Sequence, residues 1–308
     1  MLGKRGTGKP DEIGPWSKDK LNLLQKYLDA YAHIMGSQEW CCGYHYIDAF
    51  AGSVYPKLKS NVPAAQGRFT IIESEQEQYI EGSPKRALRT TPPFTVCWFI
   101  ELAPKRLDTL RALQSEFPDR DIRIRDTDCN QVLRTEIVPQ ITKKSAQRAI
   151  VFLDPYSLQV EWATVQALAT AGTFDIFVNF SLMGITRLLK RDEPPDAHTT
   201  DLLSRVMGNT SWVAKLYERS PERSVLPMFP DEPLVGSANR EVLRAEWLAR
   251  LYIEQVQELF TYASKPVIMK NSRQSPLYAL FLASHNATGV SIGNSIFSRY
   301  ERLREIGK

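Results

Sequence analysis

The sequence predicts an α/β fold built on a mainly parallel sheet with helices on both faces. Three observations carry this. Short apolar runs rich in Val, Ile and Phe alternate with amphipathic stretches of helical period, the pattern of strand–helix–strand units. The runs are apolar at nearly every position, as in strands buried on both faces. Acids recur at the carboxyl ends of the runs: Asp48, Glu101, Asp128 and Asp154. In an open α/β sheet that edge is where ligands bind.

The elements follow in order. Trp16-Ser17 opens a first helix, with Ser17 as its cap; Leu21, Leu24, Leu28 and Tyr31 share one face, and Gly36 closes it. The first strand runs from Tyr44 to Phe50. Its end, YIDAFAGS (Tyr46 to Ser53), places an acid before a small, turning segment, where a glycine lets a ligand approach the backbone. A polar loop leads to Gly82, and Ser83-Pro84 starts a short helix, with Ser83 as its cap and proline in the first turn. The second strand is Val96 to Glu101, followed by a helix from Pro104 to Leu113. The third is Ile122 to Arg125, followed by a helix from Asn130 to Ile141. The fourth is Ala149 to Pro155, followed by a helix from Trp162 to Ala171; the fifth is Phe174 to Phe180.

The alternation breaks at about residue 190. RDEPPDAH and SVLPMFPDEPLVGSAN read as irregular, and a long amphipathic helix is expected from Arg240 to Tyr262, so residues 190–264 are expected to be a helical insertion. Two strands follow, Lys265 to Asn271 and Leu277 to His285. They are too close in sequence for a parallel crossover and are expected to pair antiparallel. A last helix is expected from Gly293 to Ile306.

The domain plan is therefore a flexible tail at 1–15, a main domain at 16–189 and 265–308, and the insertion between them. The 308 residues suffice for one large, well-buried domain. With 43% apolar and 24% charged residues the composition is that of an ordinary globular protein. The net charge of +4 permits a nucleic-acid partner without requiring one. No apolar run reaches the ~20 residues of a membrane helix, and the first residues lack the apolar core of a secretion signal, so a cytoplasmic location is expected. Cys41, Cys42, Cys97 and Cys129 make no C-x-x-C pair and read as buried free thiols; no metal site is expected. GKRGTGK (Gly3 to Lys9) has the outline of a phosphate loop. Pro10 stands where Ser or Thr should bind magnesium, and no strand precedes it.

At finer grain, five alternating strands with a terminal antiparallel hairpin resemble the Rossmann-like fold of S-adenosylmethionine-dependent methyltransferases. YIDAFAGS resembles their first motif, especially the D-x-F-A-G form of DNA methyltransferases. LDPY (Leu153 to Tyr156) resembles the D-P-P-Y motif of enzymes that methylate amino groups. GPWSKDKLNLLQKYLDAYA, YIDAFAG, EGSPKRAL, the DCN at Asp128 to Asn130, FLDPYSL, DIFVNF and YALFLASHNATG together are similar to the bacterial and phage three-Cys-motif partner proteins.

That resemblance implies S-adenosylmethionine as cofactor, held by Asp48, Phe50, Ala51, Gly52 and Ser53, by Glu101 at the ribose and by Asp128 at the adenine. It implies Asp154, Pro155 and Tyr156 as the catalytic residues. Asp154 and the Pro155 carbonyl would accept the N–H bonds of an exocyclic amine, and Tyr156 would stack on its base. It also implies a three-cysteine-motif protein as partner, with DNA or RNA as substrate. Asn179 could line the same cleft. Two departures stand out: Ser53-Val54 replaces the usual second glycine, and the motif has one proline where the full form has two.

Plainer readings stand beside these. Asp48 and Asp154 could cap helices, and Glu101 could be a surface carboxylate. Tyr156 could be a packing aromatic, and His285-Asn286 could simply end a strand. Lys57, Lys59, Lys85, Arg86 and Arg89 could form a basic rim for phosphates or a solvated face. An adaptor with a degenerate methyltransferase fold is the alternative function. A metal-dependent nuclease ranks third, for want of an E-x-K strand.

Overall fold

The computed structural model describes residues 12–13, 15–58, 80–189, 195–217, 239–271 and 275–306. Most of the expected tail, the GKRGTGK segment, Lys59 and the stretch around SVLPMFPDEPLVGSAN lie outside them. Five strands alternate with helices, as expected. They are β1 (Gly43–Asp48), β2 (Val96–Ile100), β3 (Ile122–Arg125), β4 (Gln147–Leu153) and β5 (Phe174–Ser181). After them come β6 (Tyr262–Ala263), β7 (Val267–Lys270) and β8 (Pro276–Ser284). They form one sheet in the order β3-β2-β1-β4-β5-β8-β6, with β7 also paired to β8. β1 to β5 are mutually parallel. β8 is antiparallel to β5, β6 and β7. The expected hairpin is therefore present, and β7 runs parallel with the first five strands.

The helices are α1 (Pro15–Gly36), α2 (Ser83–Leu88), α3 (Pro104–Glu116), α4 (Cys129–Val132), α5 (Trp162–Ala171), α6 (Leu182–Leu188), α7 (Ala197–Met207), α8 (Ser211–Tyr217), α9 (Asn239–Phe260) and α10 (Ala287–Ile306). They divide between the two faces of the sheet. Tyr46, Phe152 and Phe177 point to a core built with α1, α2 and α10. Ile47, Val151, Val178 and Phe180 point to a second core with α5, α6, α7 and α9. Adjacent strand residues face opposite ways, so every central strand is buried twice, and this is why the runs are apolar throughout.

Several boundaries differ from expectation. α1 begins at Pro15, a residue suited to a first turn, so Ser17 is buried inside the helix and is not its cap. The cap of α2 is Gly82, so Ser83 is its first helical residue and not its cap. α4 does not continue as a plain α-helix. Residues Leu133–Ile137 form a π turn, in which the Val138 N–H bonds Leu133 O, and Pro139 next has no N–H to give. α10 starts at Ala287, well before Gly293. Gly293 is inside the helix because a Cβ there would lie 3.0 Å from Leu282 Cδ2, so the glycine lets helix and sheet approach closely.

The described residues of 190–264 form α7, α8 and α9 and then strand β6, and α9 packs on the main sheet. It joins β5 to β6 and the parallel β7, the place of a crossover helix. Tyr252 of α9 stacks on Phe180 of β5 at 4.4 Å and meets Trp162 edge-on at 5.6 Å. Leu203 and Met207 of α7 and Trp212 of α8 belong to the same core. Periodicity shows an amphipathic helix but not which surface its apolar face meets, and here that surface is the main sheet.

Candidate functional site

Strand order reverses between β1 and β4, so the connections leaving their carboxyl ends turn to opposite faces of the sheet, the place where α/β sheets bind ligands. Asp48 is the last residue of β1, and Asp154 follows β4 directly. The β1 turn, Glu101 and the segment Asp154–Tyr156 lie along this edge.

Asp48 is 0% exposed. Tyr46 Oη donates to its Oδ2 at 3.0 Å and the Phe50 N–H to its Oδ1 at 3.3 Å. The Ser83 hydroxyl also bonds it. Burial pushes its carboxyl up to about 7; these bonds oppose the rise, and the nearby Asp154 charge adds to it. Asp48 is thus neither a helix cap nor a surface contact. It lies under the turn and pins it: the Ser83 bond ties in α2, and the Phe50 N–H bond folds the chain back.

The turn has two positions that require glycine. Gly52 has φ +62°, a region that strains any residue with a Cβ. Gly82 packs on the turn, where a Cβ would stand 2.2 Å from Ser53 O. The missing second glycine after Gly52 is therefore accompanied by one that arrives from α2. Phe50 and Ser53 are half-buried and Ala51 is buried, its N–H bonded to Ile100 O at 3.0 Å.

Glu101 is 9% exposed and holds four donors. Oε1 accepts the N–H groups of Leu102 and Ala103, both at 2.8 Å. Oε2 accepts the Gly52 N–H at 3.0 Å and Arg106 Nη1 at 3.3 Å. It is no idle surface carboxylate: it holds the two backbone N–H groups just ahead of α3 and ties the β2 end to the β1 turn. Asp128 is exposed and caps α4, accepting the Gln131 N–H at 3.1 Å. Asn130, two residues on, is buried and braces the chain before α5 through Glu161 N and Thr164 Oγ1, both at 2.9 Å.

Asp154 is not a helix cap either. Its Oδ2 pairs with Lys20 Nζ of α1 at 2.5 Å, and its Oδ1 accepts Asn179 Nδ2 of β5 at 2.7 Å. Lys20 Nζ also sits 6.0 Å from the ring centres of Phe152 and Tyr278. Pro155 is buried. Tyr156 is 80% exposed and held by its backbone N–H to Gln159 Oε1, so its ring is free to act as a platform and does not pack inside. Sequence reading missed Lys20. It lies 134 residues from Asp154, on a helix whose visible signal is its leucine face, and no local spacing links the two.

The expected basic rim is largely engaged in holding the fold. Lys85 is buried against Glu116 at 2.5 Å and also bonds the Tyr55 hydroxyl. Arg86 bonds Leu21 O, Glu81 O and Asn22 Oδ1, and Arg89 pairs with Glu81. His285 and Asn286 follow β8 at the opposite edge of the sheet. There Asn286 Oδ1 accepts the Thr288 N–H at the start of α10. Cys97 and Cys129 are buried, their thiols pushed up to about 12 mainly by burial. Cys42 is exposed and Cys41 half-buried, contrary to the reading of four buried thiols. Among the described residues no three His, Cys, Asp or Glu side chains converge in a way that could hold a metal ion. No helix among them is long and apolar enough to cross a membrane.

No family model matches the chain, and no curated protein matches it. Among solved structures it is similar to protein LPL1258 from Legionella pneumophila str. Philadelphia 1, which carries the family model DUF519. The two share 15% identity at a TM-score of 0.41, over 63% of this chain and 74% of that one. A likeness at this level carries no argument about function.

Proposed function

We propose that the chain is an S-adenosylmethionine-dependent methyltransferase that modifies an amino group on DNA or RNA, in the cytoplasm, together with a three-cysteine-motif partner. The observation that carries this reading is the meeting, at one switch point, of the β1 turn with the Asp154-Pro155-Tyr156 segment. The antiparallel β8 inserted beside β5 supports it, because a terminal antiparallel hairpin is what the resemblance implies. Asp154 ends a strand at the crevice, and Tyr156 beside it offers an exposed ring for a flat base.

The residues fit the cofactor in part. Glu101 would hold the ribose hydroxyls by giving up Arg106. That is its longest contact, and the arginine is half-exposed. Its other three bonds are to backbone and would stay. Gly52 and its neighbours would pass under the cofactor, and Asp48 would keep that turn in place from beneath. The cofactor supplies an electrophilic methyl group; the protein's part is to align and desolvate the acceptor nitrogen.

The test is calorimetric titration of S-adenosylmethionine into the full chain, followed by transfer to DNA and RNA. Micromolar binding with methylated product is the expected result. In Asp154→Ala transfer is expected to vanish while cofactor affinity holds; equal loss of both refutes the role given to Asp154.

A second reading is a docking protein with a degenerate pocket. One observation favours it: the carboxylates of Glu101 and Asp128 are both engaged by the chain's own N–H groups. It predicts no cofactor binding by a folded sample, with complex formation intact.

A further inference from the structure

The side chain of Asn179 poses a problem that the proposed function leaves open. It is 0% exposed, and among the described residues its Oδ1 has no hydrogen-bond partner. A buried acceptor left unmade is costly, and native folds rarely carry one without a reason. The amide orientation is set by chemistry. Asp154 is an acceptor held by an ammonium, so the group facing it at 2.7 Å must be the Asn179 NH2, which leaves the oxygen as the orphan.

On the proposed methyltransferase reading, we infer that Lys20, Asp154 and Asn179 form one recognition unit for a neutral amino group. Asp154 and Asn179 Oδ1 are its two N–H acceptors, and Lys20 is the positioning residue that holds Asp154. Each Asp154 oxygen has one strong donor, Lys20 on Oδ2 and Asn179 on Oδ1, and keeps a lone pair for another. The carboxylate is 21% exposed, so a donor can reach it.

Spacing fits an –NH2. Within an amide the oxygen and nitrogen are about 2.3 Å apart, so Asn179 Oδ1 lies at most about 5 Å from Asp154 Oδ1. A nitrogen making two hydrogen bonds of ~2.9 Å at ~120° spans two acceptors about 5 Å apart. The two groups assigned to the substrate, Asp154 and Asn179 Oδ1, are both acceptors, so they call for a donor.

Charge then narrows the class. Lys20 Nζ stands 2.5 Å from Asp154, only 12% exposed and beside the rings of Phe152 and Tyr278. A second ammonium would meet that charge at close range in a site with little water to screen it. The unit therefore suits a nucleobase amino group, which is uncharged, and disfavours a lysine or other alkylammonium. Lys20 also fixes the carboxylate between α1 and β5, so that the acceptor meets a preset geometry.

The test measures transfer of labelled methyl from S-adenosylmethionine to unmodified DNA, to RNA and to polylysine, by wild type, Lys20→Met, Lys20→Arg and Asn179→Leu. Cofactor calorimetry and a thermal melt are run on each. Methionine keeps the apolar stem of Lys20, and the melt and calorimetry screen both Lys20→Met and Asn179→Leu for folding. The expected result is transfer to a nucleic acid and not to polylysine. In Lys20→Met, kcat falls on the order of a hundredfold with cofactor affinity unchanged, as misplacement of a catalytic group does. Lys20→Arg recovers most of it, and Asn179→Leu loses as much as Lys20→Met. Transfer to polylysine overturns the inference, as does an unaffected Lys20→Met. A Lys20→Met faster than wild type overturns it too, because Lys20 would then be blocking the acceptor's place. Cofactor binding without transfer to any of the three overturns the acceptor class alone. No cofactor binding by folded wild type overturns the methyltransferase reading and this inference with it.

Discussion

Replacing Glu101 by alanine removes the acceptor for four donors at once. Two of them have alternatives. The side chain of Arg106 is half-exposed, and Leu102 is exposed enough for water to take over its N–H. The N–H groups of Gly52 and Ala103 are half-buried and held at 3.0 and 2.8 Å. Each bond to a charged acceptor contributes about 1.5 kcal/mol or more, so the two lost without replacement amount to about 3 kcal/mol. Unfolding entropy of ~2.1 cal/mol/K per residue over 308 residues is about 0.65 kcal/mol/K, so the melting temperature should fall by roughly 5 °C. Urea and thermal unfolding of wild type, Glu101→Ala and Glu101→Gln measure it. The glutamine keeps one oxygen but turns an NH2 toward one side, so it should lie between the other two. A loss under about 0.5 kcal/mol in the alanine variant, the size of an ordinary surface change, refutes the structural role. The result also decides how a loss of cofactor affinity in this variant is read.

Three further outcomes are expected. Gly82→Ala should destabilise by about 1–3 kcal/mol, because its Cβ meets the Ser53 carbonyl; a neutral or stabilising effect in a urea titration counts against that packing. Asp48, pushed up to about 7, keeps its proton in the folded chain between about pH 4 and pH 7 while the unfolded chain has lost it. Stability relative to Asp48→Asn should therefore fall as pH rises through that window and level off above it, and a difference in urea midpoint independent of pH is the contrary result. Tyr156→Ala should weaken nucleic-acid binding by about 1–3 kcal/mol in a gel-shift titration with stability changed by less than about 0.5 kcal/mol, and unchanged affinity removes the ring from the binding surface.

Much of the sheet was legible because its signals are local. An apolar run such as AIVFLDP has to be buried on both faces, and an acid at its end marks the strand's carboxyl edge whatever the neighbours are. Ile122–Arg125 and Trp162–Ala171 have the boundaries that sequence reading places there. Boundaries failed where a residue's usual local meaning yielded to a tertiary contact. Gly293 reads as a helix start but lies inside α10 because the helix presses on Leu282. Ser83 reads as a cap but spends its hydroxyl on Asp48.

At the site, sequence determined which residues reach the carboxyl edge: Asp48, Glu101, Asp128 and Asp154 all lie at or just beyond strand ends, as their places in the runs require. Only the tertiary structure decided what each carboxylate does there. Asp48 is sealed under a turn, Glu101 ties the β2 end to that turn, Asp128 caps a helix, and Asp154 is held between Lys20 and Asn179. The reason is physical. Strand position follows from periodicity over a few residues, whereas the partner of a charged group is whatever the fold brings within 3 Å. Here that partner is a lysine from the first helix, brought in by the packing of α1's leucine face on the sheet.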